Sequence, residues 1–243
     1  VREYVCDLHI HTCLSPCASL DMSPRRIVAE AIRMGIDVIG ITDHNSAENV
    51  AAVSQVADQV LIVLAGLEVT SREEVHILAL YDDLEAALDL QDLVYENLPG
   101  KNDEDIFGIQ PIVNADDEVE GFSEHLLIGA TTLPFEEIVE NIRRGGGLAI
   151  AAHVDREAFS VIGQLGFVPP DVELDGLEVS KARTREEGLK EYSKEGRYPI
   201  IRSSDAHRPE DIGAATTTFF LEAPVCVEIG MGLRNEAGRR VVA

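Results

Sequence analysis

Two histidines two residues apart, His9 and His11, end the β-branched and apolar stretch that opens the chain. On a strand, positions i and i+2 point to one face, so the two rings project side by side. Paired imidazoles at a strand end can grip one divalent ion if a carboxylate arrives from elsewhere. Taken alone, such a pair reads more readily as surface or hydrogen-bonded core histidines, since short motifs match often by chance. The rest of the chain repeats the setting. Asp43 and His44 follow Ile36–Ile41, Glu68 follows Val60–Leu67, and His76 stands in Val75–Leu80. His153 ends Gly147–Ala152, and Asp205 and His207 follow Pro199–Arg202. Imidazole with carboxylate suits Zn²⁺, Mn²⁺ or Fe²⁺ better than Ca²⁺ or Mg²⁺. These nine residues exceed what one ion needs, so two or three ions are implied, with Glu68 the natural bridge.

The elements that must position them read as apolar strands alternating with helices. Ser23-Pro24 is an N-cap and first helical position, opening a helix that Gly35 ends; a second helix spans about 47–57. Near-continuous apolar strands between helices indicate a parallel sheet covered on both faces, an α/β fold whose sites collect at the carboxyl ends of the strands. Residues about 95–130 break this rhythm and are expected to form an irregular excursion beside the site mouth, within a single domain spanning 1–243. His125 lies in that excursion and matches no motif. The Gly145-Gly146-Gly147 run precedes a strand instead of following one, so it reads as a helix end and not a phosphate loop.

Composition sets the outer limits. There are 44 acidic against 20 basic residues, a formal charge of −24. A field of that sign repels polyanions, so long duplex nucleic acid is not expected as a partner, whereas a small phosphorylated substrate is compatible with a metal site. Four cysteines, Cys6, Cys13, Cys17 and Cys226, are too few and uneven for a disulfide framework. No apolar run reaches the ~18 residues of a membrane span, and no stretch resembles a secretion leader. The expected setting is cytoplasmic, with no membrane association.

As a set, Asp7-Leu8-His9-Ile10-His11-Thr12, Thr42-Asp43-His44-Asn45, Gly66-Leu67-Glu68, His76-Ile77-Leu78, Ala152-His153 and Ser204-Asp205-Ala206-His207 resemble the PHP (polymerase and histidinol phosphatase) superfamily. The resemblance implies a distorted seven-stranded β/α barrel, TIM-like, with a trinuclear metal centre that hydrolyses phosphate esters. It assigns His9, His11, Glu68 and Asp205 to a first metal, Glu68, His76 and His153 to a second, and His44 and His207 to a third. Cys17 falls where some members carry a histidine, and reads either as a thiolate ligand favouring zinc or as an idle thiol. Asp43 either ligates or orients a ligand through a hydrogen bond. Arg156 matches a position near the substrate phosphate, where a guanidinium binds bidentately, and Lys181 is a further candidate for that duty.

The implied activity is metal-dependent phosphoester hydrolysis with Glu68, Asp205 and His207 at its centre, on a nucleotide, an oligonucleotide end or a similar small ester. Histidinol-phosphate-type phosphatase activity is the enzymatic alternative. A non-catalytic metal-stabilised module is the other, although this chain keeps nearly every ligand such a module would lose. An amidohydrolase-like barrel also opens with H-x-H, but it wants a bridging Lys on a mid-barrel strand, and none stands there.

Overall fold

Apolar runs bury best in a sheet covered on both faces, and here each becomes a strand. The structure is a computed structural model describing residues 1–193 and 197–242. Its strands are β1 (Arg2–Ile10), β2 (Val38–Ile41), β3 (Ile62–Thr70), β4 (His76–Tyr81), β5 (Pro111–Val113), β6 (Val119–Phe122), β7 (Leu148–Ala151), β8 (Gly176–Val179), β9 (Ile200–Arg202), β10 (Thr217–Leu221) and β11 (Arg240–Val241). The helices are α1 (Pro24–Arg33), α2 (Val50–Ala57), α3 (Leu84–Glu96), α4 (Glu104–Phe107), α5 (Phe135–Arg144), α6 (Val161–Leu165), α7 (Arg185–Glu191) and α8 (Cys226–Leu233). Nine strands share one sheet in the order β11-β10-β1-β2-β3-β4-β7-β8-β9, while β5 and β6 pair separately.

The sheet curls, because the chain beyond β9 returns to β1. Ile10 and Ala206 form a parallel bridge, and His11 N donates to Ala206 O at 3.0 Å. Two expectations are corrected. The sheet has nine strands where seven were expected, since β10 and β11 add antiparallel pairings beyond β1. It is also mixed, with β4 antiparallel to both β3 and β7. Residues 71–75 are too short for a parallel crossover, which needs a dozen or more residues, so the chain can only turn back. That turn brings His76, at the start of β4, to the end of the sheet where Glu68 lies near the end of β3.

Two cores divide the faces of the sheet. Ile39, Ile41, Leu67, Ile77, Ala149 and Leu177 pack outward against the helices. Cys6, Leu8, Val38, Leu64, Leu78 and Ile150 fill the inside of the curl, together with Phe219 and α8. Strand alternation then carries the inner face from Leu64 through Gly66 to Glu68 on β3, and from Leu80 through Leu78 to His76 on β4. The interior is therefore apolar at one end and turns to ligand-type residues at the carboxyl end. A Cβ on Gly66 would meet Ala79 O at 2.5 Å, so only glycine lets β3 and β4 approach so closely two residues before Glu68. In β1 the register against β2 shifts between Asp7 and Ile10, so Leu8 faces the inner core and Ile10 the outer.

The stretch 95–130 holds α4 and the β5–β6 hairpin and packs over the loops that follow β1 and β2. Asn45 Nδ2 donates to Leu127 O and Gly129 O, both at 2.8 Å. Asn49 Nδ2 donates to Pro111 O at 3.2 Å, and its Oδ1 accepts from Val113 N at 3.0 Å. These contacts put the stretch at the carboxyl end of the sheet. His125 lies within it, stacked on Tyr95 with ring centroids 3.8 Å apart and clear of the other histidines. Among the described residues no helix is long and apolar enough to cross a membrane.

Candidate metal centre

Six of the seven histidines converge at the carboxyl end of the curl around Glu68. Glu68 Oε1 lies 2.8 Å from His76 Nδ1 and 3.0 Å from His153 Nε2, while Oε2 lies 3.0 Å from His44 Nδ1. His9 Nε2 and His11 Nε2 stand 3.1 Å apart. Asp205 Oδ1 is 3.3 and 3.2 Å from those two nitrogens, and Glu68 oxygens are 3.4 Å from each. His207 joins on the far side of His11, with ring centroids 4.2 Å apart. Ligand-type atoms of His9, His11 and Asp205, of His44, Glu68 and His76, and of His11, His44 and His207 lie within 4.8 Å of one another in each trio.

The protons in this cluster are fixed from outside. His9 Nδ1 donates to Glu178 Oε2 at 2.9 Å. His11 Nδ1 donates to Ser15 Oγ at 3.0 Å, because that hydroxyl already donates to Asp43 Oδ1 at 2.6 Å. Both Nε2 atoms are thereby turned into the cluster, where they face each other and two carboxylates. That crowding calls for positive charge between them, which a proton on His9 Nε2 supplies in the metal-free chain and a metal ion would supply in its place. His44 Nδ1, buried and 3.0 Å from Glu68 Oε2, likewise makes no hydrogen bond. The donor set of buried imidazole and carboxylate fits a transition metal.

Electrostatics say the same. Burial would push His9 down, but Glu178, Asp205 and Glu68 hold it well above the usual range. Burial opposes His44 too, yet Glu68 and Cys17 raise it to about 10. Glu68, despite its burial, is held well below the carboxylate range by His76, His9 and His44, and Asp205 by His9 and His11. His11 is pushed far down by burial and His207, and burial takes His76 to about 4. The carboxylates are ionised and draw positive charge that not every ring can supply.

Four further candidates from the sequence lie around the cluster. Asp43 turns both oxygens to the loop after β1, accepting from Thr12 N at 2.7 Å, Thr12 Oγ1 at 2.7 Å and Ser15 Oγ. These three bonds place Asp43 behind His11, joined to its ring through Ser15, and support the reading in which it orients that ring. Lys181 Nζ donates to Asp211 Oδ1 at 2.6 Å, a carboxylate outside the cluster. Arg156, by contrast, reaches Asp205 Oδ2 at 2.5 Å and is 44% exposed, so its guanidinium borders the cluster. Cys17 Sγ lies 3.1 Å from His207 Nε2. Burial raises that thiol, but hydrogen bonds from His207 and His44 bring it down to about 7.

Glu178 is the site residue that sequence reasoning missed. It accepts from His9 and, at 3.2 Å, from His153 N, and its Oε1 is buried without a partner. Its signal was a carboxylate inside the apolar strand Gly176-Leu177-Glu178-Val179. Left-handed backbone also gathers here, at Asn45 (φ 53°), His153 (φ 31°), Phe159 (φ 58°) and Asp205 (φ 50°). Such conformations cost bulky residues about 1–3 kcal/mol and concentrate at functional sites.

Known structures share the fold. A lesion-specific endonuclease of Pyrococcus furiosus superposes with a TM-score of 0.71 at 19% identity, covering 98% of this chain and 57% of that one. An endonuclease Q in complex with a 27-mer duplex, an abasic lesion at its active site, gives 0.71 at 19% over 98% and 58%. This chain thus spans little more than half the length of those enzymes. A protein of Bifidobacterium adolescentis, designated a metal-dependent phosphoesterase, gives 0.56 at 19% over 83% of this chain and 87% of that one. In sequence, an uncharacterized protein of Methanocaldococcus jannaschii is 26% identical over 189 residues, 74% of this chain and 83% of its own.

The endonuclease Q complex overturns the exclusion of long duplex nucleic acid. Net charge sums over the whole surface, whereas a phosphate meets the local field of the site, and an endonuclease that shares this fold over 58% of its length is solved with a duplex substrate. The PHP domain pattern matches residues 7–198 and the PHP-associated pattern residues 189–229. With most of its length and five of its six clustered histidines inside the PHP domain match, and His207 inside the PHP-associated one, the chain belongs to the PHP domain family.

Proposed function

We propose that the cluster holds two to three divalent ions, Zn²⁺, Mn²⁺ or Fe²⁺, and hydrolyses a phosphate ester. One observation carries the reading: the buried Nε2 atoms of His9 and His11 stand 3.1 Å apart against carboxylate oxygens of Asp205 and Glu68, with both Nδ1 atoms bonded outside the cluster. His9, His11, Asp205 and Glu68 would hold a first ion. Glu68, His76 and His153 would hold a second, and His44 and His207, with the Cys17 thiolate, a third. Bound there, such ions supply a nucleophilic water at neutral pH and neutralise phosphoryl charge.

The chain's own groups do the rest. Glu178 and Ser15 keep the His9 and His11 tautomers that present Nε2 inward. Arg156, beside Asp205 and open to solvent, is placed to hold a phosphoryl oxygen through charge-assisted hydrogen bonds. The substrate is a phosphate ester of a nucleotide or oligonucleotide.

The test is metal analysis followed by Mn²⁺- and Zn²⁺-loaded assays on p-nitrophenyl phosphate, bis-p-nitrophenyl phosphate, histidinol phosphate, mononucleotides, and single- and double-stranded oligonucleotides. Turnover of one ester class that disappears in His11→Ala is expected. Full metal loading without turnover on any of them would make the protein a metal-stabilised module instead.

A further inference from the structure

Phe159 is a bulky residue held in the left-handed region (φ 58°), a conformation seldom adopted by a side chain of its size. Its ring stacks on His76, with centroids 4.8 Å apart and planes 23° from parallel. His76 in turn lies 2.8 Å from Glu68. The ring is nevertheless 42% exposed, although the sheet beside it is well packed.

The loop carrying it is pinned. Phe159 O accepts from His76 N at 2.9 Å, and Arg156 N donates to His153 O at 2.9 Å. Ser160 Oγ donates to Arg156 O at 2.6 Å and also accepts from Gly163 N at 2.9 Å as the cap of α6. Asp155 accepts from Ser180 N at 2.7 Å, tying the loop to the end of β8. One short loop therefore sets a guanidinium at the Asp205 edge of the cluster and an aromatic ring at the His76 edge.

We infer that Phe159 is a stacking platform for the nucleobase of the substrate. The inference rests on the phosphoesterase reading and assigns the contact that would hold the nucleoside of its substrate. A phosphate held at the cluster leaves the remainder of its ester to find contacts at the rim. A flat apolar ring, fixed on one face by His76, offers its accessible surface to another flat ring. Stacking of this kind is tolerant of base identity because every base has a π-face. The occupant is an unstacked base: that of a mononucleotide, of a strand end, or of a nucleotide drawn out of a longer strand.

The native chain contains no tryptophan, so Phe159→Trp introduces a single indole at this position. In the metal-loaded variant, adenosine 5′-monophosphate should quench its fluorescence saturably, whereas ribose 5-phosphate, with the same phosphate and no base, should not. In Phe159→Ala, kcat/KM on adenylate relative to ribose 5-phosphate should fall about 10-fold, the order that base–aromatic stacking gives, and Phe159→Tyr should restore it. Equal quenching by both ligands, quenching by neither, or an unchanged ratio would overturn the inference. So would loss of a metal equivalent in Phe159→Ala, since the ring would then be a cover for His76. If the loaded protein hydrolyses no ester, the phosphoesterase reading fails, while the comparison of adenylate with ribose 5-phosphate binding still decides the stacking.

Discussion

Glu68 is the residue on which the cluster turns, since five imidazoles approach its two oxygens. Replacing it with Gln keeps the shape but removes the charge those rings require. Glu68→Gln should lower bound metal by more than one equivalent and abolish hydrolysis, as read by elemental analysis and a phosphodiester assay. Cys17 makes a sharper test of the third site. Cobalt-loaded protein should show a thiolate-to-cobalt charge-transfer band that Cys17→Ser removes, with loss of about one equivalent and retention of the pair bridged by Glu68. A band unchanged in Cys17→Ser would take the thiol out of the coordination sphere. The titration of the rings predicts a third outcome. Without metal, Glu68 and Cys17 keep His44 protonated up to about pH 10, so metal must displace protons to bind. Loading at pH 7.5 should release at least one proton and weaken as pH falls, measurable by calorimetry in buffers of differing ionisation heat. In chelated protein the sign for stability is that of a raised pKa. The His44 contribution is complete below about 6.5 and is lost as pH rises towards about 10.

At the scale of elements, short connections place the ligands. The tight turn from β3 to β4 brings His76 back beside Glu68, and the register shift in β1 separates Leu8 from Ile10. Asn49 is the peg between the β5–β6 hairpin and the barrel, bonded to Thr12, Pro111 and Val113. Asn49→Ala strands buried partners and should cost about 1–3 kcal/mol. Thermal unfolding should show that loss, and limited proteolysis should cut first within residues 95–130. If cleavage instead began elsewhere at unchanged stability, the hairpin would be held by its apolar contacts with Leu14, Leu98 and Leu127.

Across the whole molecule, 44 acidic residues surround a site that, by this reading, receives a phosphate. The outer field repels an approaching oligonucleotide while the bound ions and Arg156 attract its phosphate at close range. For such a substrate, raising ionic strength towards ~0.15 M shortens the Debye length to about 8 Å and screens the repulsion before it touches the buried contacts. The measurement is kcat/KM on a single-stranded oligonucleotide against salt, with a modest rise expected. A steep fall, as for proteins that neutralise many phosphates, would point to a basic track along the surface.

Residue order alone carries the inventory of ligand-type side chains and puts them at strand ends. Residue type fixes which atoms can bind a metal, and the alternation of apolar runs with polar tips is a local signal that survives without coordinates. Thus His9, His11, His44, Glu68, His76, His153, Asp205 and His207 were all legible, as was the carboxyl-end location. What the sequence could not decide depends on partners distant along the chain. The bonds of Asp43 to Thr12 and Ser15, and of Lys181 to Asp211, join residues far apart along the chain. Glu178 lies 169 residues from His9, and no periodicity announces that pairing. The antiparallel course of β4 and the two added strands are likewise matters of long-range pairing. Local chemistry is written in order along the chain, whereas the competition for each hydrogen bond and charge is decided only when the fold brings the competitors together.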